Sequence, residues 1–260
     1  MEDKKTELKK DITQMFYNNM ASQYDKLFLD WQATVLGQAE LLSKVFQENG
    51  YDYKAKILDC ACGIGTQSIG LAKLGYNVIG SDISDGEIAE ARIRAKDNNV
   101  NVRFEQADFC ALSQTFKDGF DIIIAMDNAL PHMLSHEALA SAIKSIAHQT
   151  RDNGMFVASI RDYDKLLQEK PSYSAPYIYE TQKGQRISFQ TWKWLGDNYK
   201  FTQYIIDDEG ELQIHKFDCE YRATMRQELT DLLIANGFND VIWKMPDEID
   251  FYQPVVIAKK

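Results

Sequence analysis

Short, unbroken apolar runs alternate with longer amphipathic stretches through the middle of the chain. Residues 56–59, 77–82 and 101–105 read as strands, and Phe120–Met126 has the short continuous apolar character of a buried strand. Residues 66–74, 84–97 and 136–149 repeat their apolar positions at helical spacing. Asp152-Asn153-Gly154 then marks a turn, and Met155–Ile160 reads as a further strand. Strand and helix in this alternation predict a doubly wound, parallel sheet. Upstream, 6–20 and 32–49 read as amphipathic helices, the second stopped by Asn49-Gly50, with the aromatic-rich segment Tyr24–Trp31 between them.

The period changes after Tyr163. Residues 177–182, 186–195, 199–206 and 211–221 read as short antiparallel strands, and Asp207-Asp208-Glu209-Gly210 as a hairpin turn. Helical spacing returns over 224–236, and Phe238–Lys244 and Pro254–Lys259 supply two last strands. The fold expected is α/β: a seven-stranded, doubly wound, mostly parallel sheet. N-terminal helices take 1–50 and the main domain 51–162 plus 223–260. An antiparallel β insertion over 163–222 is expected to act as a lid on the ends of the parallel strands.

Chemistry enters where the first strand ends. Ile57-Leu58-Asp59-Cys60-Ala61-Cys62-Gly63-Ile64-Gly65-Thr66 is an apolar run, an acid, a glycine-rich turn and the start of a helix. Glycine lets the backbone approach a ligand closely and tolerates positive φ. Asp82 ends the second strand, where an acid typically receives the two hydroxyls of a ribose. Together these point to a nucleoside ligand. A dinucleotide fingerprint would carry a third glycine where Ser68 stands, and Asp59 beside the loop disfavours a phosphate. A carboxylate there suits a ligand with a positive amino group instead.

Composition narrows the partners. Hydrophobic residues make up 45% and charged residues 26%, enough for a sizeable core. The formal net charge is −10, so the basic footprint that nucleic-acid binding needs is missing. Cys60 and Cys62 are one residue apart rather than the two of a metal or redox C-x-x-C, so no metal is expected. Those two, Cys110 and Cys219 read as free thiols of a reducing cytoplasm. The N-terminus lacks the apolar core of a signal peptide, and no apolar run approaches the ~20 residues of a membrane helix.

The pattern Asp59-x-Ala61-x-Gly63-x-Gly65 resembles the first motif of class I S-adenosylmethionine-dependent methyltransferases. More narrowly, the chain resembles glycine N-methyltransferase and the bacterial glycine/sarcosine methyltransferases. Asp127-Asn128-Ala129-Leu130-Pro131-His132 carries that narrower likeness, with its Asn and His four apart; so do Ile160-Arg161-Asp162-Tyr163-Asp164 and the antiparallel insertion. The resemblance implies a Rossmann-like sheet and S-adenosyl-L-methionine as cofactor. The acceptor it implies is a small amine bearing a carboxylate, such as glycine or sarcosine. O- or C-methylation of another small metabolite, and a regulator that binds the cofactor without catalysis, stay open. Members of the family often form homo-oligomers. The family's cofactor-contacting arginine has no clear counterpart here, although Gln38 lies nearby in sequence, and its aromatic after the third strand is Phe109 rather than Trp.

The implied cofactor site comprises Asp59, Ala61, Gly63, Gly65, Asp82, Ile83, Asp108, Phe109, Met126, Tyr24 and Trp31. Asp59 would face the methionine amine, Asp82 the ribose, Asp108 the adenine amino group, and Phe109 the ring. Asn128, His132 and Arg161 would position the acceptor, with the Arg161 fork on its carboxylate. Each has a structural alternative: a strand-end cap for Asp59, a helix cap for Asp82 or His132, and a turn cap for Asn128. For Arg161 the alternative is an internal ion pair with Asp162, Asp164 or another acid.

Overall fold

The computed structural model describes residues 12–260. The expected helix 6–20 therefore lies outside the described residues over 6–11; residues 12–20 are helical and are labelled α1. A 3-10 helix, Ala21–Leu27, follows, and then α2 (Trp31–Glu48), capped by the Asp30 side chain on the Ala33 N–H. The parallel strands are β1 (Lys56–Asp59), β2 (Asn77–Asp82), β3 (Arg103–Gln106), β4 (Phe120–Ala125) and β5 (Thr150–Ser159). Helices α3 (Thr66–Lys73), α4 (Asp85–Asp97), α5 (Leu112–Thr115) and α6 (His136–Gln149) stand between them, and α7 (Tyr163–Glu169) follows β5. The chain continues as β6 (Tyr177–Glu180), β7 (Gln185–Leu195), β8 (Asn198–Asp208) and β9 (Leu212–Arg222). It ends as α8 (Arg226–Ala235), β10 (Asp240–Lys244), α9 (Pro246–Ile249) and β11 (Val255–Lys259).

The main sheet has seven strands in the order β10-β11-β5-β4-β1-β2-β3, with only β10 and β11 running antiparallel to their neighbours. Strictly alternating side chains explain why it is covered on both faces. Leu58, Ile123 and Phe156 point to the side covered by Leu139, Ile143 and Ile146 of α6. Ile57, Ile122, Ile124 and Val157 point to the other side, against Leu42 and Phe46 of α2. The chain turns outward from β1 to β2 and β3, then returns to β4 on the opposite side of β1. The carboxyl ends of β1 and β4 thus flank the crevice where ligands bind in sheets of this topology.

The insertion is a separate four-stranded antiparallel sheet, β6-β7-β8-β9. One face of β8 and β9 buries Tyr199, Phe201, Cys219 and Tyr221 in the same core as Leu58 and Ile123. The expected turn at 152–154 falls inside β5. There the pairing jumps from Phe120↔Thr150 to Ile122↔Met155, and Asn153 takes a positive φ of 59°. No helix among the described residues is long and apolar enough to cross a membrane.

Candidate active site

A cavity of about 340 Å³ opens at the carboxyl ends of β1, β2 and β4. The β1–α3 loop supplies its floor through Cys60, Ala61, Cys62 and Gly63, and the first turn of α3 through Thr66 and Gln67. Gly63 (φ 51°) and Gly65 (φ 90°) are left-handed, and Gly65 stands at the N-cap of α3. A Cβ on Gly65 would sit 3.0 Å from Ile69 and 3.3 Å from Phe104, so both space and backbone demand glycine there. Thr13 and Tyr17 of α1, and Tyr24 of the 3-10 helix, close the far wall.

Of the residues expected from sequence, Tyr24, Ala61, Gly63, Asp82, Ile83, Asp108, Phe109, Met126 and His132 line this cavity. Asp82 accepts from the Gly63 N–H on Oδ2 (3.0 Å) and from the Ser84 N–H on Oδ1 (2.9 Å). The cap of α4 is Ser84, whose Oγ accepts from the Glu87 N–H, and not Asp82. Asp108 caps the short 3-10 turn Phe109–Ala111 through the Cys110 N–H, and so holds Phe109 at the cavity edge.

Asp59 lies just beneath the loop, fully buried, and accepts a 2.7 Å bond from Ser68 Oγ on Oδ2. The side chain at the missing third glycine position is thus the partner of this acid. Its Oδ1 has no partner. Burial pushes the Asp59 carboxyl up to about 7, against the bond from Ser68. Gly65 serves loop geometry and does not line the cavity. Trp31 is also turned away from it, into the core between α2 and α3, where its Nε1 donates to Thr66 Oγ1 (3.0 Å) and Arg94 lies over its ring. It braces the first turn of α3.

His132 is buried beside Tyr17, whose hydroxyl lies 2.8 Å from Nε2, and its ring packs on Tyr221 at 4.4 Å between centroids. Burial lowers its pKa to about 3, although a bond to the Glu220 backbone works the other way. The imidazole is therefore neutral and a poor proton acceptor. Asn128, at a positive φ of 71°, has its Oδ1 taken by the Arg161 N–H at 3.0 Å, while its buried Nδ2 has no partner among the described residues. The Arg161 guanidinium donates to Tyr199 OH (3.0 Å) and Gln190 Oε1 (2.9 Å), with the rings of Trp192 and Tyr221 at 5.1 and 5.3 Å. The alternative ion pair is excluded, because Arg226 takes both Asp162 (2.6 Å) and Asp164 (3.3 Å). Among the described residues Arg161 has no carboxylate partner.

Sequence reading missed Tyr17, Thr66, Gln67 and Asp127. Thr66 and Gln67 were open to inference, since the first turn of a helix after a glycine loop carries unsatisfied N–H groups at the strand ends where the cavity lies. Gln67 joins Gln38 and Asp127, and Tyr252 donates to Asp127 at 2.8 Å. The place near Gln38 is therefore a neutral and acidic network.

The electrostatics have one sign. The described lining holds the carboxyl groups of Asp82, Asp108, Asp127 and Glu137 and neither lysine nor arginine. Such a cavity rejects phosphates and suits a cationic ligand. The unpartnered Asp59 Oδ1 and the unobstructed Gly63 backbone fit a nucleoside with an amino-acid tail.

Glu87 adds a further buried acid. It is fully enclosed, neither carboxyl oxygen has a partner, and Oε2 would lie 3.5 Å from a Cβ on Gly63. Burial, then the charge of Asp82, raises its pKa well above the carboxylate range. The native state thus keeps a proton that the unfolded chain loses above its ordinary value near 4.5. This contribution to stability is complete below that value and is lost as pH rises towards the folded pKa. Glu87→Met should remove an unsatisfied polar group and stabilise the fold by about 1–3 kcal/mol. That is roughly 2–4 °C in melting temperature for each kcal/mol. Melts of both proteins between pH 5 and 8 should show the gap widening with pH; a constant or inverted gap means Glu87 is partnered when folded.

The sheet of this strand order carries an acid-rich cavity at its switch point, and the chain belongs to the class I S-adenosylmethionine-dependent methyltransferases, with S-adenosylmethionine as its cofactor. A family model described as "Methyltransferase domain" matches residues 57–154. Within the class, the chain falls in the group of the glycine N-methyltransferases. The human glycine N-methyltransferase is 30% identical over 202 residues, 69% of this chain and 68% of that protein. A glycine/sarcosine N-methyltransferase of Parasynechococcus marenigrum (strain WH8102) is 26% identical over 60% of this chain, a match that spans about half (54%) of that relative's length. In fold, the chain is similar to a S-adenosylmethionine-dependent methyltransferase from Clostridium acetobutylicum ATCC 824. The TM-score is 0.74 at 19% identity, covering 94% of this chain and 98% of that one.

Proposed function

We propose that this enzyme methylates the nitrogen of a small, carboxylate-bearing amine such as glycine or sarcosine. The observation that carries the reading is Arg161: a half-buried guanidinium at the end of β5 with two aromatic neighbours, two neutral acceptors and no acid beside it. A half-buried cation left without a counter-charge is a site for an anion, and its planar fork matches a carboxylate. The names of the similar enzymes agree with this acceptor class.

Bound S-adenosylmethionine supplies a methyl group already activated by its sulfonium charge. In this reading Asp82 receives the ribose hydroxyls, Asp108 and Phe109 the adenine, and Asp59 and the α3 end of the loop the methionine amine. The four cavity carboxyls favour the cation. Tyr24, Met126 and Ile83 fill the apolar remainder. Arg161 fixes the acceptor by its carboxylate, so that its nitrogen is aligned rather than free. Alignment alone can supply about 7–11 kcal/mol of a two-partner barrier. Neutral His132, held by Tyr17, orients groups by hydrogen bonding. The antiparallel sheet at 163–222 serves as the acceptor's wall and lid. The same reading takes the protein as a cytoplasmic enzyme, without nucleic-acid partners and able to form homo-oligomers.

The purified protein, incubated with the donor and a panel of amino acids and uncharged amines, should yield N-methylated products from the carboxylate-bearing members, with or without a chelator. Detection of the added methyl group by mass spectrometry is the measurement. Products on uncharged amines alone, or on a hydroxyl or carbon, would replace this acceptor class.

A further inference from the structure

The Arg161 guanidinium is held by side chains of the insertion, and the polarity of its support is fixed over several residues. Gln203 Nε2 donates to Ser188 Oγ (3.0 Å) and to the carbonyls of Phe189 (3.1 Å) and Tyr204 (2.9 Å). Carbonyls only accept, so the amide nitrogen of Gln203 must face them and its oxygen must face Gln190. That oxygen accepts from Gln190 Nε2 at 2.9 Å. The oxygen of Gln190 therefore points the other way, where it meets Trp192 Nε1 at 2.9 Å, a group that can only donate. The second lone pair of Gln190 Oε1 takes Arg161 Nη2 at 2.9 Å. The opposite flip of either amide would set donor against donor.

We propose that Gln190 determines acceptor selectivity: it orients the Arg161 guanidinium through a neutral oxygen, so that the positive charge stays uncompensated and available to an acceptor carboxylate. The proposal rests on the reading of Arg161 as the acceptor's anchor. Tyr199, the other polar partner, is also neutral and receives Nη1 at 3.0 Å, while its own hydroxyl lies 3.1 Å from that of Tyr163. Trp192 and Tyr221 hold the planar group on its faces. An acid at position 190 would keep the same length and the same acceptor atom but would satisfy the charge internally. The insertion is then more than a cover. It carries the residue that decides whether the anchor is charged towards the ligand, and Gln190 acts as a positioning residue.

The test compares wild type, Gln190→Glu and Gln190→Met. Acetate, a bare carboxylate, should perturb the fluorescence of the wild type through Trp192 at concentrations that leave Gln190→Glu unchanged. For turnover, Gln190→Glu should raise the KM for glycine by roughly tenfold or more, because an ion pair in a recess competes with the ligand. Its KM for glycinamide should stay within about twofold and donor affinity should not fall, while the melting temperature drops modestly because the second carboxylate oxygen now faces Gln203 Oε1 in place of a donor. Gln190→Met, which loses orientation but leaves the charge free, should show a smaller rise in KM. Equal responses of wild type and Gln190→Glu to acetate, including no response from either, overturn the proposal. So does a loss of donor affinity and melting temperature shared by both variants, which would make Gln190 a strut. If acetate distinguishes the two proteins but wild type methylates no carboxylate-bearing amine, the assignment of the acceptor fails and the role of Gln190 stands.

Discussion

Alanine in place of Arg161 should raise the KM for a carboxylate-bearing acceptor by about 10- to 150-fold, the equivalent of the roughly 1.5–3 kcal/mol of a charged hydrogen bond. Donor affinity should change little, since the guanidinium lies among the insertion strands and not among the residues lining the donor cavity. Arg161→Lys should recover only part of the loss: it keeps the charge but cannot serve Tyr199, Gln190 and a ligand from one planar fork. Stability should fall modestly, by the loss of two ring contacts worth about 0.5–2 kcal/mol each. The decisive comparison is glycine against glycinamide. If Arg161 reads the carboxylate, the variant loses the preference for glycine. If both acceptors suffer alike, Arg161 shapes the pocket without reading charge.

The expected alternative, Arg161 paired with Asp162 or Asp164, shows the limit of local reading. Neighbours in sequence are the obvious partners, yet α7 begins at Tyr163, and both acids are taken by Arg226 from the start of α8. The partners that do hold Arg161, Gln190 and Tyr199, come from two strands of the second sheet. Their register, with Gln190 opposite Gln203 and Trp194 opposite Tyr199, is set by a long antiparallel pairing. Alternating polarity makes those strands visible one at a time; nothing in the chain says which residue of which strand will face β5. Helix α7 escaped notice because it is two turns long, has no side-chain cap and precedes a proline.

The donor side was far more legible. Buried parallel strands are short, continuous and apolar, so their ends could be read directly, and ligand-binding residues in this architecture stand at those ends. Asp82, Met126, Ala61 and Gly63 line the cavity for that reason. Tyr17 does not, because it reaches the cavity from a helix packed across the opening and belongs to no strand end. Trp31 misled for a related reason. An aromatic near a presumed pocket is as easily core, and here the Asp30 cap starts α2 so that Trp31 turns onto α3.

Asp82→Ala should weaken donor binding by about 10- to 150-fold, from losing roughly 1.5–3 kcal/mol of hydrogen bonding to the ribose. The structure adds a second consequence. Each carboxylate oxygen already receives a backbone N–H, one from Gly63 and one from Ser84, so the side chain ties the glycine loop to the start of α4. Alanine leaves both donors to find water, which should cost about 1 kcal/mol of stability. The two roles separate with Asp82→Asn, whose single carbonyl can keep one N–H bonded. Its melting temperature should lie near that of wild type, while donor affinity stays low, because one amide cannot accept from the loop and from two hydroxyls together. Calorimetric titration of the donor alongside thermal melts measures both. Wild-type affinity in either variant, with a lowered melting temperature, would make Asp82 a brace for the loop and move the ribose elsewhere in the cavity.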